Sequence, residues 1–495
     1  MQANHQDHRS ILSSIARQSM LEYGLLPDYS TEALVELEQI KKSGQDRDNS
    51  IRDQRNLLWA SIDNDESLDL DQLTAAQAMP DGNIKIFVAI ADVDEFVKKG
   101  SAIDTHARHN TTTVYTPAVI FSMLPEILST DITSLNFNEE RISIIVEIMI
   151  EPSGELKGSS VYRARVVNHA RLSYNSTAAW LEKKGNIPDE IKAVQGLSES
   201  LQLQDQAARS MKKFRHQNGA LSFETIQAKP YFDGNQIRSL EVDEPNRAKE
   251  IIEDFMIAAN GVTARFLSNR GFPSIRRVVR SPKRWERIVE IAADHRFNLP
   301  DHPDSKKLEE FLVEQKKADP LRFPDLSLAV IKLMGAGEYI ASPPDGNAPG
   351  HFGLAVKDYS HSTAPNRRFP DLITQRLIKA ALNGKEVPYL IDELDSLAVH
   401  CTSAEDAAKK VERRVEKSAA ALLLESRLGE KFDAIITGAS EKGTWVRLLT
   451  IPIEGKLVKG FEGMDVGHRL RVELVDVNVE RGFIDFKKIR SSKHG

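Results

Sequence analysis

The sequence predicts an α+β protein, with a short helical region over residues 1–50, a large mixed sheet-and-helix domain over 51–428 and a small all-β barrel over 429–495. Three observations carry this. Between Leu57 and Val167, segments rich in β-branched residues are bounded by Asp-Gly, Pro or Gly. From Ser173 onward, apolar residues recur at helical spacing. After Phe432, short strands separated by Gly turns follow at a regular interval, the rhythm of a small barrel. A chain of 495 residues is too long for one core, and about three domains are expected.

In the first region Ile11, Ile15, Met20 and Leu21 keep a loose helical period, and Thr31 is placed as the cap of a second helix reaching Ile40. A recruiting domain and a packing arm are both open readings of it. Strands are expected at Ile84–Ile90, Thr111–Tyr115 and Ile142–Ile150. Helices follow through Leu181–Lys184, Gln202–Arg215 and Ala248–Asn260. In the last of these, Ile251, Ile252, Phe255, Met256 and Ala259 make a core-facing stripe. Further helices over 301–345 end in a Pro-rich break near Ser342. A helix over Leu372–Leu382 comes next, then a long charged helix from Ser403 to Leu428 that Gly429 ends. Barrel strands are expected at Asp433–Thr437, Thr444–Leu448, Leu470–Val475 and Gly482–Phe486.

The chemistry concentrates in Ser61-Ile-Asp-Asn-Asp-Glu-Ser-Leu-Asp-Leu-Asp-Gln-Leu73, which packs Asp63, Asp65, Glu66, Asp69 and Asp71 between apolar runs. An EF-hand loop starting at Asp63 would need Gly at position six and Glu at position twelve, where Leu68 and Thr74 stand. A solvated acidic turn is the plainer alternative. Against it, Asp69 and Asp71 flank Leu70, so in extended backbone the two carboxylates share a face. Carboxylates held together repel, and a hard divalent cation relieves them. Two other places are candidates. Arg367 and Arg368 precede a helix amino terminus and could form an anion site, or else a surface loop with two solvated arginines. Trp445, flanked by Lys442 and Arg447, is either a stacking platform for a base or a barrel core residue.

Net charge is -6, so no polybasic nucleic-acid tail is present. The single cysteine, Cys401, excludes an intrachain disulfide and a Cys-rich zinc site, and suits a reducing, cytoplasmic compartment. The longest apolar run, Ile142–Ile150, is interrupted by Glu147 and too short for a bilayer, so no membrane partner is expected. No Ser-His-Asp set, phosphate-cradling Gly-rich ATP loop or dinucleotide fingerprint is apparent, which leaves attack by water and no nucleotide cofactor.

From about residue 50 to its end the chain resembles the ribonuclease II family of 3′→5′ exoribonucleases. The resemblance rests on Asp63-x5-Asp69-Leu-Asp71, Ile90-Ala-Asp-Val93, Gly100-Ser-x-Ile-Asp104, Thr113-Val-Tyr-Thr-Pro117 and Met123-Leu-Pro-Glu-x-Leu-Ser129. It continues in Ala170-Arg-Leu-Ser-Tyr174, Ile252-Glu-Asp-Phe-Met-x-x-Ala-Asn260 and Ala364-Pro-Asn-Arg-Arg-Phe-Pro-Asp371, all in the family's order. It implies an RNB-type catalytic domain over 51–428 and an OB-fold RNA-binding domain over 429–495, with Gly443-Thr-Trp-Val446 and Ile453-Glu-Gly455 in the expected places. By the same resemblance Asp63, Asp69 and Asp71 hold Mg2+ and the attacking water, and Arg367 neutralises the scissile phosphate. Tyr115 seats the terminal nucleotide, Phe223 stacks on bases at the channel's end, and Tyr174 with Glu253 reads the ribose 2′ hydroxyl. Arg368, Glu412 and Trp445 complete the RNA-binding set. The implied partner is single-stranded RNA with a free 3′ end, bound by a monomer that releases nucleoside 5′-monophosphates.

The departures are specific. The family's acidic cluster ends in two adjacent aspartates, and here the second is Gln72. Ala89 stands where His often precedes Ile-Ala-Asp-Val, the family's Thr-Ser-Pro-Ile-Arg reads Thr363-Ala-Pro-Asn-Arg367, and Phe369 replaces a common Tyr. The two cold-shock domains usual ahead of the catalytic domain are not expected in about fifty residues. The alternative function is an RNA-binding protein whose exonuclease site is weakened or inactive.

Overall fold

The computed structural model describes residues 7–41, 51–226, 228–242, 244–440, 443–464 and 466–489. Lys442, named above beside Trp445, lies outside them. A seven-stranded mixed sheet forms the centre. Its strands run, in spatial order, Arg52–Asp53, Leu156–Val167, Glu140–Ile150, Ile84–Ala91, Gln72–Ala78, Ala60–Asp63 and Ala170–Ser173. The middle pairs are antiparallel and both edge strands pair parallel. Ile84–Ala91 and Glu140–Ile150 are nearly continuous runs of β-branched and small residues because both faces are covered. The covering side chains include Met211 of helix Leu197–Gln217, Phe255 and Val262 of helix Arg247–Asn269, and Leu372 and Leu377 of helix Phe369–Leu382.

A second cluster gathers Trp285, Ile288, Phe311, Leu312 and Phe323 from helices Trp285–Asp294, Ser305–Ala318 and Phe323–Met334. A third lies inside a closed five-stranded barrel built from Lys431–Ser440, Gly443–Leu448, Glu454–Lys459, Arg469–Asn478 and Phe483–Lys488. Among the described residues no helix is long and apolar enough to cross a membrane.

Several elements differ from expectation. Ser30 caps helix Thr31–Ile40, accepting the N–H of Ala33; it outcompetes Thr31 because a cap must be extended, and Ser30 has ψ 160. Leu21 is 61% exposed, outside the buried stripe of Leu12, Ile15, Ala16 and Met20. The strand expected at Thr111–Tyr115 shrinks to Val114–Tyr115, because Thr111 is the left-handed cap of helix Ala102–Asn110. The long helix runs Ile391–Leu424, starting twelve residues before Ser403. The hairpin Ala228–Asp233/Gln236–Val242 and the pair Ser274–Val278/Glu338–Ser342 had no counterpart in the sequence reading.

Candidate active site

The acidic stretch divides in two. Asp65 and Glu66 are exposed, as a solvated turn would be, whereas Asp63 and Asp69 are half-buried and Asp71 is buried to 2%. Leu70 is the pivot, 3% exposed in the main core, which turns its two neighbours together to the opposite face of the segment. Asp63 closes strand Ala60–Asp63 and stands opposite Ser173 of the parallel edge strand. Ser173 in turn caps the helix that begins with Tyr174. Edge pairing therefore brings Asp63 and Tyr174 together, and burial followed by the charge of Asp63 holds the Tyr174 phenol above its ordinary range.

Arg367 joins this group from the other end of the chain. Its Nε lies 2.5 Å from Asp71 Oδ2, with the arginine side chain 40% exposed and the aspartate side chain 3%. Burial raises the Asp71 carboxyl to about 7 against the opposing pull of Arg367. Asp63 is raised by burial as well, with Arg367 opposing and Asp69 reinforcing. Burial works against the Arg367 charge, and Asp71, Tyr115 and Asp69 together hold it above its ordinary range. Tyr115 completes the ring by donating its hydroxyl to Asp69 Oδ2 at 3.3 Å.

The loop before helix Phe369–Leu382 is fixed from within. Asp371 Oδ1 accepts the N–H groups of Thr363 and Ala364 at 2.8 and 2.9 Å and Arg368 Nη2 at 2.7 Å. Arg368 thus turns inward while Arg367 turns to the aspartates. The loop also clamps the Tyr115 segment, since Thr113 N–H reaches the Arg367 carbonyl at 3.0 Å and Phe369 N–H the Thr111 carbonyl at 2.8 Å. The helix-end amides envisaged for an anion are engaged by the chain: Phe369 by Thr111, and Asp371 and Leu372 by the Arg368 carbonyl. The guanidinium of Arg367 is what the site offers an anion. Glu412, on helix Ile391–Leu424, accepts the backbone N–H of Tyr115 at 2.9 Å and so holds that residue in place.

The remaining sequence candidates stand on other segments of the chain. Glu253 is exposed on helix Arg247–Asn269, and Phe223 packs half-buried on the cluster around Trp285 and Phe311. Trp445 faces out of the barrel, because Thr444, Val446 and Leu448 take the inward positions of strand Gly443–Leu448. Arg447 shares its outer face and grips Asp325 of helix Phe323–Met334 at 2.8 and 3.2 Å.

Among the described residues no three His, Cys, Asp or Glu side chains close into a metal cage. The donor set is nonetheless one that Mg2+ accepts, oxygen only. Asp71 Oδ1 is buried without a hydrogen-bond partner, an unmet acceptor that a cation would satisfy. Sequence reasoning passed over two residues that hold the loop between Asp63 and Asp69. Arg171 Nη2 donates to the carbonyls of Asp65 and Ser67 at 3.2 and 2.6 Å, and Ser134 Oγ bonds both the Leu68 carbonyl and the Leu70 N–H. Arg171 stood within a quoted motif, but only the fold shows what it touches.

Residues 51–384 match the family model described as the RNB domain, and residues 430–489 that of the RNase II-type exonuclease C-terminal S1 domain. The chain is 29% identical over 505 residues to ribonuclease R of Aquifex aeolicus, covering 95% of this chain and 70% of that protein. It is 29% identical over 479 residues to ribonuclease R of Escherichia coli, covering 89% and 58% respectively. The chain thus spans 58% to 70% of the length of these two curated relatives. RNase R of Mycoplasma genitalium, solved in complex with ribose-methylated single-stranded RNA, shares the fold with a TM-score of 0.87 at 22% identity, covering 98% of this chain and 79% of that one.

Proposed function

Because the chain belongs to the RNB-domain family, we propose that it is an exoribonuclease that hydrolyses single-stranded RNA from the 3′ end and releases nucleoside 5′-monophosphates. The observation that carries this reading is the meeting of Arg367 with Asp71 across 296 residues of sequence, with Tyr115 and Asp69 beside them. A half-exposed guanidinium over buried and half-buried carboxylates suits a phosphodiester, whose charge grows in the transition state.

The 3′-terminal nucleotide sits on the Tyr115 ring, which Glu412 fixes through its backbone N–H. Tyr174 and Glu253 read the 2′ hydroxyl, making the enzyme selective for RNA and indifferent to base. Phe223 and the outward-facing Trp445 stack on the strand further from the cut. Arg367 neutralises the scissile phosphate, and Arg368 keeps its loop in place from below. Asp63, Asp69 and Asp71 would hold Mg2+, which when bound lowers the pKa of a water and polarises the phosphodiester. Gln72, 7% exposed at the start of strand Gln72–Ala78, contributes no charge to that set.

The test is release of mononucleotides from a 3′ single-stranded RNA with and without Mg2+, in wild type and in Asp71→Asn. Wild type should yield 5′-monophosphates only with the metal. Asp71→Asn should abolish cleavage while RNA affinity stays within about threefold, since the channel is untouched. No product from wild type at any Mg2+ concentration, with RNA still bound, would leave an RNA-binding protein with an inactive site.

A further inference from the structure

Beside the loop that carries Asp69 lies a cleft of about 270 Å3, lined by Leu68 and Leu70 of the loop together with Phe137 and Arg171. The cleft and the aspartates share this loop: Ser67, which lines the cleft, hydrogen-bonds the Asp63 side chain. At its mouth stand two large apolar side chains, Leu68 at 55% exposure and Phe137 at 57%. The backbone that presents Phe137 is pinned. Phe137 bridges Asn168, and the next residue, Asn138, takes the left-handed conformation at φ 59 and donates its N–H to the Asn168 carbonyl at 2.8 Å. Asn168, 1% exposed, is itself anchored to Ser61 Oγ at 3.1 Å and the Leu135 carbonyl at 2.9 Å. An aromatic ring held outward on a fixed turn keeps its shape for a ligand and loses little freedom on binding one.

Arg171 gives the cleft its charge. One nitrogen of its guanidinium, Nη2, tethers the Asp65 and Ser67 carbonyls, leaving Nε and Nη1 without a partner among the described residues. Glu139 also lines the wall, but it is paired with Arg141. A flat apolar surface beside a planar cation matches a base beside a phosphate. The volume falls just under the usual range for a ligand cleft, room for one nucleotide and not for a strand.

We infer that this cleft binds a nucleoside 5′-monophosphate, with the base on Phe137 and Leu68 and the phosphate on Arg171. The inference rests on the reading that the enzyme releases such products, and it adds a regulation of the same centre. The guanidinium that takes the phosphate through Nε and Nη1 tethers the turn before Asp69 through Nη2, so a bound product competes for the orientation of that side chain and slows further turnover.

Calorimetric titration of the metal-free protein with 5′-AMP, adenosine and inorganic phosphate tests it. Wild type should bind 5′-AMP more tightly than either fragment. Phe137→Ala should weaken 5′-AMP at least about tenfold, and Arg171→Gln should bring 5′-AMP down to the level of adenosine. RNA turnover without added nucleotide should be unchanged in Phe137→Ala, while its inhibition by 5′-AMP should move to about tenfold higher concentration. Binding of 5′-AMP that ignores Phe137→Ala and is lost in Tyr115→Ala would place the nucleotide in the catalytic centre and overturn the inference. So would a Phe137→Ala defect confined to RNA oligomers, which would make the cleft a strand site. If wild type releases no mononucleotide from RNA, the proposed reaction falls with its feedback, and 5′-AMP held on Phe137 still identifies the nucleotide site.

Discussion

A carboxyl buried as deeply as Asp71 resists ionisation, and even with Arg367 Nε at 2.5 Å it is pushed up to about 7. Arg367 is therefore the countercharge of the free site, and in the proposed reaction it is also the group that neutralises the scissile phosphate. A planar fork can face a carboxylate and a phosphate together, which a single ammonium cannot. Arg367→Lys should accordingly lower kcat about 10²- to 10³-fold with KM changed only a few-fold. Single-turnover release of mononucleotide from labelled RNA measures it. A loss that appears only in KM would make Arg367 a ground-state binding group and remove it from the chemical step.

At the scale of elements, helix Phe369–Leu382 explains how Arg367 is held. Gln375 bonds the Ala91 carbonyl at 2.7 Å, Arg376 pairs with Asp94 and Asp104 at 3.1 and 2.8 Å, and Lys379 reaches Asp92, Asp94 and Glu95 at 2.8, 3.0 and 3.3 Å. Lys379→Met would strip a buried acidic cluster of one cation, and loss of one partner from a buried pair destabilises by about 3–5 kcal/mol. Urea unfolding should show a loss of that size, partly restored by adding Asp92→Asn; a loss below about 1 kcal/mol would mean the cluster is solvated. The same helix marks what the sequence made legible. Its apolar residues announced it from Leu372, but nothing in the period of Gln375, Arg376 and Lys379 said that their polar ends reach Ala91, Asp92 and Asp94. Strands Ile84–Ala91 and Glu140–Ile150 were readable because burial on both faces demands β-branched runs. Hairpin Ala228–Val242 was not, since its first strand buries no residue fully, exposes Lys229, Tyr231 and Asp233 in alternation, and carries Pro230. The start of Ile391–Leu424 was missed because no side chain caps it. In the site, the shared face of Asp69 and Asp71 could be read by alternation, whereas the role of Asp63 and the approach of Arg367 were anticipated only by family resemblance.

Across the whole molecule, helix Ile391–Leu424 is the spine on which the parts meet. Arg414 pairs with Glu22 of the first helix, Glu412 holds Tyr115 of the site, and Ala420, Ala421 and Leu424 enter the core of the barrel. The barrel closes on the spine through the turn at Gly482, whose φ is +65 and where an added Cβ would lie 2.7 Å from Lys417 Cβ and 3.1 Å from backbone atoms of Lys417 and Ser418. Gly463, at φ +69, has nothing within 4 Å of such a Cβ. Gly463→Ala should therefore carry only the left-handed strain, about 1–2 kcal/mol. Gly482→Ala adds a collision with the spine that is relieved when the barrel moves away, carrying Trp445 with it. RNA affinity should then fall about tenfold in Gly482→Ala and little in Gly463→Ala, while both still release mononucleotides, because the Arg367 and Asp71 centre is built without the barrel. Filter-binding affinities and limited proteolysis at the Leu424–Lys431 junction measure this. Equal affinities in the two variants would show that the RNA does not depend on how the barrel is seated.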